Sequence, residues 1–510
     1  MTREKMFRCA WQSVLLPLML VCAPAWAGIC RVTTSRSSFN DGRLAWPRTL
    51  VECGDLVDMA FRICRFVTFA LVVTLAVAAP AHAQDGAYDP NFGTVGRTWI
   101  DVTSDKNDRG LQLIRLPNGG LFMSGSCKNT ILTCAAWLTP SGAKASGFGT
   151  SGTGTALFSD YAGWPLDAYD AEGAAAFADG RIAIAAGKPD ATTELNYTYL
   201  ALLRADGTGL DPSVGNGAGY VSRTSQTQTL LVTPQQQVIV VGTTGSHSPV
   251  SIVVSRYDSA FHLDTSFGTN GSATLAFTEG DAAPYRAKLQ RDGKIVVIGG
   301  TFNVTHGNLI IARFTAGGEP DPDFGINSDG RYASNYGNPY GVTGYDVVED
   351  KEGRLVFAGY TRTADGNGTQ WLVNRLLSGG AVDSTFNGGQ PQKFVPVFPS
   401  DTASTPQACC IALQSDNRIV VAGKIGRQGG GYYFAMARFL ETGTFDSTWG
   451  EGGQSYGDMS TQANVVTDNP RSLVIVPGRV IIGGSTSVSG EQRFTATGMQ
   501  IDLLFAADFD

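Results

Sequence analysis

Residues 290–300 of the chain are Gln-Arg-Asp-Gly-Lys-Ile-Val-Val-Ile-Gly-Gly, and residues 309–314 are Leu-Ile-Ile-Ala-Arg-Phe. The Asp-Gly pair is typical of a two-residue hairpin turn, in which glycine supplies a positive φ. The run after the turn is almost continuously apolar, which indicates a strand buried on both faces. Residues 321–325, Asp-Pro-Asp-Phe-Gly, add a bend. This stretch therefore predicts antiparallel β-structure.

The Asp-x-x-Phe-Gly signature recurs roughly every sixty residues, which is the mark of a repeat architecture. Its aromatic position is occupied by Phe92, Phe148, Val214, Phe267, Phe324, Phe386, Trp449 and Phe505. Asp stands three residues earlier at Asp89, Asp211, Asp264, Asp321, Asp383, Asp446 and Asp502. A second signature, a polar turn before a β-branched run that ends in Gly, has the same period. Together they predict seven repeats.

Each repeat offers four strand-like runs, which in the fourth repeat are residues 272–277, 285–290, 294–299 and 308–314. No window of more than about ten residues shows helical spacing with caps. Four antiparallel strands in each repeat are typical of a propeller blade. The sequence predicts an all-β fold, a seven-bladed β-propeller of four-stranded antiparallel blades, over residues 84–510.

The recurring residues have a structural interpretation. We expect the aromatic ring to fill the gap between blades, while the following Gly makes a bend that bulkier residues resist. The recurring Asp is expected to pair with an Arg on the preceding strand: Arg204, Arg256, Arg313, Arg375 or Arg438. A calcium ladder is the alternative role for these Asp residues, although the runs lack the ligand pattern of a calcium loop.

The N-terminal region resembles an export signal. Residues 59–83 have a basic start, a short apolar run and an Ala-x-Ala site before Gln84, which is the layout of a secretory signal peptide. A similar arrangement lies upstream, so we interpret residues 1–58 as an extension before a translation start at Met59. A membrane anchor over 66–83 is the alternative. The mature chain is then expected to be secreted, periplasmic or at the cell surface, with no integral membrane span.

Four cysteines would remain after cleavage at Ala83. Cys127 and Cys134 flank a short loop and could bridge two adjacent strands as a disulfide in an oxidising compartment. The alternative is that they are simply buried. Cys409 and Cys410 are adjacent and could pair with each other only through a strained eight-membered ring, so the sequence leaves their state open.

Composition excludes two classes of protein. The 510 residues are 43% hydrophobic and 16% charged, which excludes an intrinsically disordered chain. The net charge is −7 and there are no basic blocks, which argues against a nucleic-acid partner. The surplus of glycine, 63 residues, is expected to serve turns. We expect a monomer.

The segment 290–325 resembles the bacterial delta-60 repeat, and the copies at 414–450 and 256–271 are similar to it. The copies at 121–154 and 473–505 are looser. The resemblance covers residues 89–505 and implies a β-propeller in a secreted or cell-surface protein. It implies no activity and no catalytic residues.

Signals for chemistry are sparse. His247, His262 and His306 have no metal-binding spacing, so we predict no metal centre and no cofactor, with calcium as the open exception. Loops that vary between repeats lie on one predicted face, where a rigid scaffold usually carries its binding residues. The candidate binding residues on these loops are Tyr161, Trp164, Tyr169, His306, Tyr336, Tyr340, Tyr432 and Tyr433.

These features are consistent with two alternative functions. The favoured one is a non-catalytic, exported binding or surface-interaction scaffold for a polymer or protein ligand. The alternative is an extracellular carbohydrate-active enzyme with paired loop carboxylates. The candidate carboxylates are Asp160, Asp167, Glu279 and Asp281.

Overall fold

The structure is a computed structural model, and it describes residues 31–33, 50–52 and 85–501. The short segments outside the description within the last range are 106, 129–131, 166–167, 169, 172, 190–195, 224–225, 246, 303, 305, 395, 397–401, 428–429 and 462–464. The chain divides into two compact units, Met1–His82 and Ala83–Asp510. In the first unit, β1 (Arg31–Thr33) and β2 (Leu50–Glu52) pair antiparallel. The predicted signal peptide, 59–83, lies outside the described residues.

The second unit is all-β and is built from antiparallel sheets whose neighbouring strands are consecutive in sequence. Five sheets have four strands each. The first two consist of β4 (Arg109–Arg115), β5 (Leu121–Cys127), β6 (Leu132–Leu138) and β7 (Thr155–Leu157), and of β8 (Gly173–Ala176), β9 (Ile182–Pro189), β10 (Asn196–Leu203) and β11 (Tyr220–Arg223). The next three consist of β12 (Thr227–Val232), β13 (Val238–Thr243), β14 (Ile252–Tyr257) and β15 (Ser272–Leu275), of β16 (Asp281–Leu289), β17 (Ile295–Phe302), β18 (Leu309–Phe314) and β19 (Arg331–Ser334), and of β20 (Val342–Glu349), β21 (Leu355–Arg362), β22 (Thr369–Leu376) and β23 (Gln392–Phe394).

A sixth sheet has eight strands, namely β24 (Thr402–Leu413), β25 (Ile419–Arg427), β26 (Tyr432–Phe439), β27 (Gln454–Gly457), β28 (Val465–Val476), β29 (Arg479–Val488), β30 (Glu491–Gln500) and β3 (Arg97–Ile100). Short 3₁₀ turns occur at Phe158–Asp160, Gly215–Gly217 and Asn387–Gly389.

The structure is a β-propeller with five separate four-stranded blades, so the prediction of seven such blades is wrong. The other strands share one sheet because a parallel bridge between Tyr432 and Thr467 links β26 to β28. Strand β28 is 12 residues long, and its beginning therefore reaches the first residue of β26. The N-terminal strand β3 completes this sheet by pairing with β30.

Blade boundaries also differ from the predicted ones. The run after the Phe-Gly bend, Ser272–Leu275, pairs with β14 and forms the last strand of the sheet before it. The sequence pattern instead groups this run with the strands that follow it. The chain makes a bend at Phe267-Gly268 and returns along the strand that it has just left, so each sheet ends one strand later than predicted.

The apolar core lies between neighbouring sheets. The recurring aromatic residues Phe92, Phe267, Phe324, Phe386 and Trp449 are fully buried. Phe324, for example, packs among residues of β17, β18 and β21. The inner strands follow one another in contact: β4, β8, β12, β16, β20, β24 and β28, with β28 touching β4 again. This arrangement surrounds a central axis.

Candidate functional site

A β-bulge interrupts most of the inner strands. In each case the register with the neighbouring strand skips a single residue of the inner strand, so this residue has no partner in the ladder. The six skipped residues are Leu111, Gln228, Tyr285, Tyr345, Cys409 and Arg471. A bulge turns a side chain away from the direction that a regular strand would give it.

Each bulge lies beside a glycine of the strand that follows it in the same sheet. The six glycines are Gly125, Gly242, Gly299, Gly359, Gly423 and Gly484. A Cβ atom at Gly299 would lie 2.0 Å from the carbonyl oxygen of Ala283, far inside van der Waals contact. The glycine that ends each apolar run is therefore required by the bulge opposite it.

The six skipped side chains meet in one cavity of about 370 Å³ on the central axis. Its other lining residues are Arg286, Gln407, Ala408, Lys424, Asn469 and Pro470. The volume lies within the usual range of ligand sites, roughly 300–1,000 Å³. Five of the six skipped residues are partly exposed to this space, and Leu111 is buried. We call this space the central cavity.

Three tyrosines form an aromatic row beside the central cavity. The ring centroids of Tyr285 and Tyr345 are 4.6 Å apart, and those of Tyr345 and Tyr360 are 5.7 Å apart. Burial, reinforced by the neighbouring phenols, raises the pKa of Tyr345, and burial likewise raises the pKa of Tyr285. Both hydroxyls are therefore protonated at neutral pH and can donate hydrogen bonds.

The charged groups of the central cavity are all cationic: Arg286, Lys424 and Arg471. Among the described residues that line it, none is Asp or Glu. Burial lowers the pKa of Lys424, and the positive charge of Arg471 lowers it further. Arg286 holds the main chain of Arg471 in place, because its Nη2 donates to the carbonyl oxygen of Arg471 at 3.0 Å.

The cysteines are paired in both places. Cys409 and Cys410, whose state the sequence left open, form a disulfide with each other. Cys409 occupies a bulge, where the strand is already irregular, and it lines the central cavity. Cys127 and Cys134 form a second disulfide between β5 and β6, with their Cα atoms 6.0 Å apart.

Two of the predicted binding aromatics belong to the core. Tyr161 and Trp164 are each only 5% exposed and pack against Phe158, with ring centroids 5.2 Å and 5.1 Å from it. Their faces are therefore covered by protein. Tyr336 is half-buried, and its hydroxyl lies 2.9 Å from that of Tyr332.

The remaining predicted residues lie at the surface or pair with cations. Tyr340 and His306 are exposed, and Tyr169 lies outside the described residues. The Lys424 ammonium lies 4.3 Å from the centroid of the Tyr432 ring, and the Arg427 guanidinium lies 3.7 Å from that of Tyr433. None of the eight predicted residues lines the central cavity.

The candidate catalytic carboxylates do not gather in the central cavity either. Asp281 is buried and accepts hydrogen bonds from Ser248 Oγ at 3.1 Å and from the Val250 amide at 2.8 Å. It therefore anchors a loop. Asp160 and Glu279 are exposed, and Asp167 lies outside the described residues.

The repeat Asp residues form ion pairs with arginine. Arg256–Asp264 and Arg375–Asp383 each have a nitrogen–oxygen distance of 2.7 Å. The same pairing occurs at Arg313–Asp321 and Arg438–Asp446. Arg204 does not take this role, because Asp211 pairs with Arg181 instead, and Asp89 pairs with Arg479. Within the described residues, no three His, Cys, Asp or Glu side chains gather where they could hold a metal ion.

Sequence reasoning missed the central cavity, although a signal for it was present. A glycine recurs after every β-branched run, as at Gly299 and Gly423, and the sequence pattern alone places such glycines at strand ends and turns. A glycine within a strand is also a sign of a bulge or of close backbone approach. The bulged residue itself varies freely between repeats, so no shared side chain marked the site.

The fold and this cavity define a β-propeller with a ligand-sized site on its axis. The family described as "Domain of unknown function (DUF5122) beta-propeller" matches residues 290–324, 352–386 and 414–448, which supports a propeller repeat family. No curated protein matches the chain significantly.

Several solved structures are similar to this chain at low sequence identity and low TM-score. The polysaccharide lyase Uly1 is 11% identical, with 83% of this chain and 94% of that chain covered and a TM-score of 0.42. Drosophila Semaphorin 2a is 8% identical, with 81% and 77% covered and a TM-score of 0.42. The sialidase of Trypanosoma rangeli is 9% identical, with 79% and 59% covered and a TM-score of 0.36. Likeness at this level carries no argument about function. In the part of the chain that the structure describes, no helix has the length and apolar character needed to cross a membrane.

Proposed function

We propose that this protein is an exported, non-catalytic binding propeller whose central cavity holds its ligand. Export rests on the signal-like pattern of residues 59–83. Binding rests on the ring of bulges, which is the one observation that carries the proposal. In six inner strands, one residue has no partner in the ladder, and the side chains of all six line the central cavity. We therefore interpret the cavity as a built site and not as a gap in packing.

The contents of the central cavity favour binding over catalysis. Hydrolysis of a glycosidic bond uses two carboxyl groups that flank the bond. The described lining residues supply cations, amides and phenols, and no carboxyl group. Asp281 is the most deeply buried of the described candidate carboxylates, and it accepts structural hydrogen bonds from Ser248 and Val250. The carbohydrate-active enzyme is therefore the weaker of the two functions.

A ligand panel with a turnover assay tests the proposal. The full chain is screened against a glycan array and a small-metabolite panel, and every hit is measured by calorimetry. Gln228→Trp fills the central cavity from a partly exposed position, and Tyr340→Ala changes an exposed loop residue as a matched control. We expect Gln228→Trp to weaken binding more than tenfold and Tyr340→Ala to leave it unchanged, with no product formed. Turnover, or a hit that depends on Tyr340 and not on Gln228, would contradict the proposal.

A further inference from the structure

We infer that the ligand of the central cavity is an acidic saccharide, whose carboxylate lies between Arg471 and Lys424. The inference rests on the proposed function and names its ligand class. It starts from charge. The whole chain carries a net charge of −7, yet the described charged groups that line this cavity are three cations.

Two of these cations line the same cavity from different strands, Arg471 from β28 and Lys424 from β25. The positive charge of Arg471 lowers the pKa of Lys424, after burial, which lowers it most. Arg471 stands at a bulge, and its main-chain carbonyl is held by Arg286. Like charges that a fold keeps together in one space are stabilised by a bound anion. A planar guanidinium beside an ammonium suits a carboxylate, which can accept two parallel hydrogen bonds from arginine.

The uncharged lining residues indicate a ligand rich in hydroxyl groups. Gln228, Gln407 and Asn469 bring amide groups from three different inner strands, β12, β24 and β28. Each amide can both donate and accept, as sugar hydroxyls require. The phenol hydroxyls of Tyr285 and Tyr345 add donors, since both remain protonated. An apolar anion such as a fatty acid would leave these polar groups without partners, which disfavours it.

The direct test compares sugars that differ by their carboxylates. Trimers of α-1,4-linked galacturonate and of α-1,4-linked galactose have the same length and ring configuration, and inorganic sulfate and citrate serve as anions without a sugar ring. Calorimetry on the full chain at low salt should show binding of the galacturonate trimer at least tenfold tighter than of each of the others. The affinity should fall as salt is added, because the contact is ionic.

Variants locate the carboxylate. Arg471→Gln and Lys424→Gln should each weaken binding of the galacturonate trimer more than tenfold, and Arg471→Lys should weaken it less than Arg471→Gln does. Lys393→Gln removes an exposed cation from the outer strand β23 and should leave the affinity unchanged. Melting temperatures show whether each variant is folded. Should Arg471→Gln fail to fold, Lys424→Gln alone carries the test.

The outcomes separate this inference from the proposed function. Equal affinity for the galactose trimer, equal affinity for sulfate or citrate, or no binding of the galacturonate trimer overturns the acidic saccharide. If a neutral ligand binds and Gln228→Trp abolishes its binding, the inference fails while the central-cavity function stands. If the galacturonate trimer binds equally well to Gln228→Trp, both fail.

Discussion

The rings of Tyr285 and Tyr345 lie with their centroids 4.6 Å apart, at bulges of the adjacent inner strands β16 and β20. In a regular strand, neighbouring side chains alternate between the two faces of the sheet. The skipped register instead turns both rings toward the axis of the propeller. The central cavity therefore depends on the bulges, and the bulges depend on the glycines beside them.

Replacing one of these glycines should disturb the bulge. In Gly299→Ala the new Cβ would lie 2.0 Å from the carbonyl oxygen of Ala283, so the strands must move apart. We expect the free energy of unfolding to fall by about 2–4 kcal/mol. Gly187→Ala is the control, because Gly187 lies in the second strand of another blade with no atom within 4 Å of the new Cβ. Chemical denaturation measures both, and equal losses would contradict the role of the glycine.

Phe324 should contribute far more stability than its near neighbour Ile326. Phe324 is fully buried between blades, and Phe324→Ala should lower the free energy of unfolding by about 3–5 kcal/mol. Ile326 is 98% exposed, and Ile326→Ala should change it by less than about 0.5 kcal/mol. Thermal and urea unfolding of the two variants give the comparison. A loss at Phe324 as small as that at Ile326 would show that the ring does not join the blades.

The Arg375–Asp383 pair should behave as a buried ion pair. Both side chains are 3% exposed, and Arg375 Nε lies 2.7 Å from the carboxylate. Burial alone would raise the pKa of Asp383, but hydrogen bonds from Thr385 and Arg375 outweigh it and lower that pKa. Arg375→Gln should cost about 3–5 kcal/mol, because it leaves a buried charge without its partner.

The control for this pair is Arg331–Asp329, whose side chains are 36% and 31% exposed. Arg331→Gln should cost less than about 1 kcal/mol. A double-mutant cycle with Asp383→Asn isolates the coupling in the buried pair. Coupling no larger than that of the exposed pair would refute the structural role of the repeat Asp.

Stability should fall as the pH rises toward 8, because of Asp468. Burial raises the pKa of Asp468 to about 7, although Thr486 Oγ1 donates to it at 2.7 Å and Arg427 lies 3.6 Å away. A folded-state pKa above the unfolded value means that the contribution is complete below about pH 4 and is lost as the pH rises through about 7. The loss has an upper limit of about 4 kcal/mol, at about 1.4 kcal/mol for each pKa unit.

Denaturation of the wild type and of Asp468→Asn between pH 5 and pH 8 measures this effect. We expect the variant to lose most of the slope, whatever its stability at a single pH. Asp458, which also pairs with Arg427, raises the pKa of Asp468 by its charge, so Asp458→Asn should shift the midpoint of the slope to lower pH. An equal slope in the wild type and in Asp468→Asn would assign the effect to another group.

Much of the fold could be predicted, because its signals are local. Asp292-Gly293 predicts a hairpin by turn chemistry alone. Phe324 is predicted to be in the core because its position recurs within the Asp-x-x-Phe-Gly signature. The binding roles expected for Tyr161 and Trp164 stay predictions, although the structure buries both side chains against Phe158. An aromatic residue in a variable loop has the same sequence signature whether it faces solvent or folds back onto Phe158.

Turn chemistry and periodicity act over a few residues, so they are enough to predict the repeat, its antiparallel strands and the residues between the blades. The sheet to which each run belongs, the bridge from Tyr432 to Thr467 and the central cavity emerge only when distant parts of the chain pack together. These depend on the register between strands, and a shift of one residue reverses the direction of a side chain. Leu111, Gln228 and Arg471 have no sequence pattern in common, and they meet only because each one is skipped in its ladder.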